Sequence, residues 1–214
     1  DRHHAHRVIR GVKNRFGTTL EIGIFEMTDS GLKEAPGGLG VGALEAGAER
    51  RPGIVVCPVM TGARCMLVEI QALTATGFLG AAKRKSSGID ANRLAMVIAV
   101  LETHAGMRLA DRDIFASSVG GIRVVEPAAD LALLLAIAGS QLRRGVDPGT
   151  AAVGEVGLGG EVRAVGQIEQ RAREAGRLGF KRVIVPAGRK GTVKVEGVDV
   201  VGVRKIGEAV DQLG

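Results

Sequence analysis

The chain has 214 residues, 45 % of them hydrophobic and 24 % charged, with a formal net charge of +6. That length admits one large domain or one domain with an extra piece, and the composition excludes a chain that is mainly disordered. Aromatic residues make up 2 %, with no Trp or Tyr, so Phe16, Phe25, Phe78, Phe115 and Phe180 are too few and too scattered for base reading by stacking. The 33 glycines point to many tight turns and follow no collagen period. The basic balance favours anionic partners, nucleic acid first, against a plain surplus for solubility. Cys57 and Cys65 make no CxxC pair, which argues against a structural zinc site. There is no apolar run of 18 residues and no signal-peptide pattern, so a cytoplasmic protein without membrane contact is expected.

In chain order, His3, His4 and His6 open the sequence without a carboxylate or cysteine set to complete a metal site. Ala5 to Val12 has apolar residues at helical spacing (Ala5, Val8, Ile9, Val12), and Glu21 to Met27 alternates like a strand. Residues 1–33 therefore read as helix, basic loop and strand, too little to fold alone, and are expected to be the tail of a larger upstream domain. Residues 34–51 are rich in Ala and Gly and read as a linker. From residue 52 to 214 the pattern is that of one mixed α/β (α+β) domain. Strands are expected at Ile54 to Val59 and Met66 to Leu73, then a long loop from Thr74 to Gly88. A helix capped by Asp90 follows, ending near Gly106. Strands at Asp113 to Val119 and Ile122 to Val125 precede an apolar helix from Pro127 to Leu142. Ala152 to Val165 reads as a hairpin turning at Gly159-Gly160, and Gln167 to Leu178 as a charged amphipathic helix. Short strands at Arg182 to Val185 and Val198 to Val203 and a helix from Ile206 to Leu213 close the chain.

Three stretches carry a resemblance. Lys13-Asn14-Arg15-Phe16-Gly17 followed by Glu21-Ile22-Gly23-Ile24-Phe25-Glu26-Met27, then Leu67-Val68-Glu69-Ile70-Gln71-Ala72-Leu73, then Gly88-Ile89-Asp90-Ala91-Asn92-Arg93-Leu94-Ala95-Met96, resemble the RadA (Sms) family of bacterial DNA repair proteins. Gly154-Glu155-Val156-Gly157-Leu158 extends the likeness downstream. The resemblance implies a whole protein of three parts: an N-terminal zinc finger, a RecA-like ATPase, and a domain like the protease domain of Lon. This chain has no GxxxxGK[ST] phosphate loop. It would hold the end of the ATPase domain (residues 1–33), a linker (34–51) and the Lon-like domain (52–214). The zinc finger, and the ATP and Mg site, would belong to the part not present here. The implied whole is a hexameric, DnaB-like helicase acting on single-stranded and branched DNA beside the recombinase RecA.

Lon-type peptidases use a Ser–Lys dyad, in which a neutral amine takes the proton of a serine that opens a helix. The matching segment here is Pro127-Ala128-Ala129-Asp130, which puts Ala128 at the serine position. Counting on, Gly154-Glu155 falls on the family's Gly-Glu pair and Arg171 on the lysine. A guanidinium cannot act as the base, so no protease activity is expected. A degenerate but active serine peptidase is the alternative, and a protein-interaction platform without DNA contact is another.

The resemblance further implies that Lys13, and with it Arg15, reaches a neighbouring subunit's nucleotide in the ring, while Asn14, Phe16 and Gly17 shape that loop; the bland alternative is a solvated basic turn. Lys83, Arg84, Lys85 and Arg93, in a charge-dense loop and the helix start after it, are the candidates for DNA phosphate contacts.

Overall fold

The computed structural model describes residues 6–10, 22–28, 31–34, 49–78, 80–188 and 193–214. The first three segments are strands β1 (His6–Arg10), β2 (Ile22–Thr28) and β3 (Gly31–Glu34), which form an antiparallel sheet in that order. Val8 lies opposite Ile24 and Phe25 opposite Glu34. This corrects the helix expected over Ala5 to Val12. An eight-residue amphipathic run is too short to hold itself as a helix, and its β-branched Val8 and Ile9 favour the extended chain that β2 can pair. The alternation from Glu21 to Met27 does mark a strand. Lys13 to Gly17 lie outside the described residues, as do His3 and His4 and residues 35–48 of the expected linker.

The larger unit begins with the hairpin β4 (Ile54–Thr61) and β5 (Arg64–Thr76). Then come β6 (Arg84–Ser87), α1 (Ala91–Ala105), β7 (Arg112–Ser118) and α2 (Asp130–Leu142). After α2 the chain forms β8 (Thr150–Ala152), β9 (Glu155–Val156), β10 (Val162–Arg163), α3 (Ile168–Arg177), β11 (Arg182–Pro186), β12 (Asp199–Val203) and α4 (Ile206–Val210). Seven strands share one sheet in the order β12-β11-β8-β4-β5-β7-β6. Only β5 runs antiparallel to its neighbours, pairing so with β4 and β7; the other adjacent pairs are parallel.

Three further expectations change. The stretch from Thr74 to Gly88 is not one loop. β5 runs on to Thr76, and Arg84–Ser87 pairs parallel with β7 as a short, charged edge strand, the kind of edge that resists unwanted pairing. Ile122 to Val125 is not a strand; Val124 makes one bridge to Ile89. The expected hairpin is confined to β9 and β10, while β8 leaves it for the main sheet.

The core lies between the sheet and α2. Leu131, Leu134, Leu135 and Ile137 are fully buried, each worth about 1.5–3 kcal/mol of burial. A helix apolar nearly all round needs cover on every side, and β4, β5, α1 and α4 provide it. The chain enters β4 through Gly53 at φ +82°, where a Cβ would sit 2.3 Å from the Ala72 carbonyl oxygen, so only glycine fits this crossing. α1 is capped as expected: Asp90 Oδ1 accepts from the Asn92 and Arg93 amides, each at 3.0 Å, and Gly106 closes it in the left-handed conformation.

Candidate functional site

Ala128 sits in a 3-10 turn, Pro127–Ala129, that leads into α2. Pro at the first position presets the backbone of this turn. The turn is tied down on both sides: the Ala128 carbonyl accepts from the Gly154 amide at 2.8 Å, and the Leu131 amide donates to the Gly154 carbonyl at 3.0 Å. These two bonds hold Gly154-Glu155 against the start of α2. Ala128 is 3 % exposed. It offers a methyl group where the resemblance calls for a nucleophile.

Arg171 comes from α3, which packs against β4, and is also 3 % exposed. Its guanidinium meets Glu126, two residues before Ala128, in a forked pair: Nη1 donates to Oε1 at 2.8 Å and Nη2 to Oε2 at 2.7 Å. Nη1 also donates to the Pro58 carbonyl of β4 at 2.6 Å, and Nε to the Gly166 carbonyl at 2.9 Å. Glu126 Oε1 accepts in addition from the Met60 amide at 2.7 Å. The planar fork of arginine suits such a cage. Burial works against the charge of Arg171, but the Glu126 bonds and charge outweigh it and raise its pKa above the ordinary value. Glu126 thus ties Arg171 of α3 to the turn that carries Ala128, and neither a methyl group nor a hydrogen-bonded guanidinium can take up a proton there.

A second charged pair lies next to it. Asp130, at the first position of α2, is 4 % exposed. It is held by Arg93 through Nε to Oδ1 at 3.0 Å and Nη2 to Oδ2, and by the Val156 amide at 3.2 Å. Burial raises its pKa, and the Arg93 and Val156 hydrogen bonds oppose the rise. The thiols are displaced as well: burial pushes Cys65 up to about 12 and Cys57 well above the ordinary value.

The basic candidates separate. Arg93 lines a small cavity with Asp90, Glu126 and Asp130, its guanidinium engaged by Asp130. Arg84 turns inward, donating to the Leu109 carbonyl at 2.8 Å and to the Arg112 carbonyl. Lys83 and Lys85 are exposed. Lys85 borders an open groove of about 490 Å³ on the sheet, with Leu73 and Phe115 as its apolar floor and Gln71, Ser87 and Ser117 beside them. Leu73 and Phe115 are register partners, 59 % and 38 % exposed. Lys13, Asn14, Arg15, Phe16 and Gly17 lie outside the described residues. Among the described residues no three His, Cys, Asp or Glu side chains gather as metal ligands, and no helix is long and apolar enough to cross a membrane.

Sequence reasoning missed Glu126. The signal was available: an arginine where the resemblance puts the dyad lysine needs an anion once it is buried, and a carboxylate stands immediately before Pro127. It also missed the groove, because Leu73 and Phe115 look like ordinary core residues in their strands.

Comparison with known proteins fits this geometry. Residues 59–201 match the family described as Lon protease (S16) C-terminal proteolytic domain. The chain is 45 % identical over 211 residues to DNA repair protein RadA of Listeria monocytogenes, covering 98 % of this chain and 46 % of that protein. It is 44 % identical over 207 residues to DNA repair protein RadA of Pseudomonas aeruginosa, covering 97 % and 46 %. It is 43 % identical over 212 residues to that of Synechocystis, covering 98 % and 41 %. The chain thus spans about half the length of the curated relatives it matches. With more than half of its residues in the matched domain, the chain belongs to the Lon protease (S16) C-terminal domain family and is similar to bacterial DNA repair protein RadA over nearly its whole length.

Proposed function

We propose that this chain is a peptidase-inactive Lon-type domain serving a RadA-type DNA repair ATPase as scaffold and nucleic-acid contact. One observation carries the reading: the two positions that should form the dyad are a buried alanine and a saturated arginine, inside a scaffold that still folds as a Lon domain. Hydrolysis lacks both nucleophile and base, while the surface remains available for binding. The exposed Lys85 at the groove and Lys83, exposed two residues before it, offer phosphate contacts for single-stranded DNA. Arg84 and Arg93 are less free for that role, since their guanidinium groups hold carbonyls and Asp130.

In the whole protein the Lon-like domains would line up as a six-membered ring. Lys13 and Arg15 would reach the ATP and Mg bound by a neighbouring subunit, zinc would belong to an N-terminal finger, and branched DNA and the recombinase RecA would be the cytoplasmic partners. The test is a pair of measurements on the purified chain: casein cleavage, and anisotropy of a labelled oligothymidine over a salt series. No cleavage and salt-sensitive binding are expected, because phosphate contacts release counterions. Cleavage overturns the loss of peptidase chemistry. Absence of binding at low salt removes the DNA role and leaves a protein platform. In the whole protein, Lys13→Ala is expected to abolish DNA-stimulated ATP turnover while ATP still binds; near-normal turnover would reduce the loop to a structural turn.

A further inference from the structure

A lysine at position 171 would enter surroundings made for a cation. Glu126 supplies two carboxylate oxygens, and Pro58 and Gly166 supply carbonyl oxygens. All of these are acceptors. An ammonium has three donors and no lone pair, whereas the neutral amine has two donors and a lone pair that none of these oxygens can satisfy. A dyad serine gives up its proton only to that lone pair.

We propose that Glu126 is a third inactivating position beside Ala128 and Arg171: the acceptor cage it completes holds any basic side chain at 171 as a cation, so restoring serine at 128 and lysine at 171 still leaves the site without a base. The inference rests on the reading of Ala128 and Arg171 as the former dyad positions. It adds that the silence of the site is built into the wall around the dyad.

The other groups facing position 171 do not compete with Glu126. Cys57 of β4 and Cys65 of β5 are thiols that burial keeps protonated. Glu174, further along α3, bears on Cys65 and accepts from Arg177. Asp130 of α2 is neutralised by Arg93. Burial alone would drive a lysine towards the neutral form, and a carboxylate within hydrogen-bond reach drives it the other way. Glu126 is itself fixed by the Met60 amide, so it cannot swing away when the arginine is shortened.

The experiment labels lysine Cε with carbon-13 in the wild-type chain, in Arg171→Lys and in Arg171→Lys/Glu126→Gln, and follows the added signal with pH by NMR. The native lysines act as internal references. In Arg171→Lys the added lysine is expected to titrate with the native ones or above them; in the double variant its midpoint falls by about one unit or more, since burial then acts unopposed. Equal midpoints in the two variants, or a midpoint already low in Arg171→Lys, overturn the proposal. Should a lysine variant fail to fold, urea unfolding of Glu126→Gln, Arg171→Gln and their double gives the coupling between the two positions. Strong coupling supports the cage and additivity overturns it. Casein cleavage by the wild-type chain would defeat the reading of a lost dyad without altering the titration, so the two failures are distinguishable.

Discussion

Arg171 and Glu126 join α3 to the turn before α2 through a forked ion pair, with the arginine side chain 3 % and the glutamate 20 % exposed. A pair this deep is costly to break from one side. Removing the cation leaves Glu126 facing the Pro58 carbonyl with no donor between them. Arg171→Ala is therefore expected to destabilise the fold by about 3–5 kcal/mol, read as a lower urea midpoint with an unchanged slope. Arg173→Ala, two residues on, loses a pair to Glu169 whose partners are both largely exposed, and is expected to shift stability by less than about 0.5 kcal/mol.

The start of α1 gives a separate measure. Asp90 accepts from two of the helix's first amides through its side chain. Asp90→Ala is expected to cost about 1 kcal/mol, and Asp90→Asn much less, since the amide oxygen still accepts. Equal losses for both variants in thermal unfolding would show that the charge rather than the cap matters.

The helices and the paired central strands were readable because their patterns are local. Asp90 and Gly106 mark the two ends of α1, and the apolar run after Pro127 is long enough to exclude a strand. β6 was not readable. Lys83 to Ser87 has no apolar residue, and what makes it a strand is its neighbour β7, a partner distant in sequence. β1 failed for a related reason: Val8 and Ile9 suit either period over eight residues, and β2 decides between them. At the site, the Pro127 and Gly154 segments that the resemblance sets side by side are joined by two backbone hydrogen bonds; Glu126 offered only a weak signal, a carboxylate just before Pro127, because its partner Arg171 lies 45 residues away.

The two thiols set an expectation for pH. Cys65 is pushed up to about 12 and Cys57 is raised by burial. A raised folded pKa means that the unfolded chain releases its thiol protons first as pH rises. The stability from these groups is fully present below the unfolded thiol pKa of about 8.5, and is lost as pH climbs from there through the folded value. Unfolding midpoints between pH 8 and 10 are expected to fall for the wild type and to fall less for Cys65→Ser. At pH 8 the folded chain is expected to resist a thiol reagent and the urea-unfolded chain to react at both cysteines.

Arg84 and Lys85 are neighbours in β6 with opposite duties, which makes them the sharpest pair of variants. The Arg84 guanidinium donates to the carbonyls of Leu109 and Arg112, fastening the turn before β7 to the sheet edge. Arg84→Ala removes both bonds, although the Leu109 carbonyl still accepts from the Arg112 amide, and is expected to cost about 1 kcal/mol. Lys85 is exposed and borders the groove floored by Leu73 and Phe115. Lys85→Ala is expected to leave the unfolding midpoint within about 0.5 kcal/mol of the wild type. If Lys85 meets a phosphate of single-stranded DNA, its loss removes one released counterion. The slope of log affinity against log salt then becomes shallower by about 0.7. Phe115→Ala should weaken binding with the slope unchanged, because an apolar contact releases no ions. A Lys85→Ala chain with the wild-type slope would remove this edge from the DNA surface, and a Phe115→Ala chain with a changed slope would mean that the groove acts through the placement of its lysines.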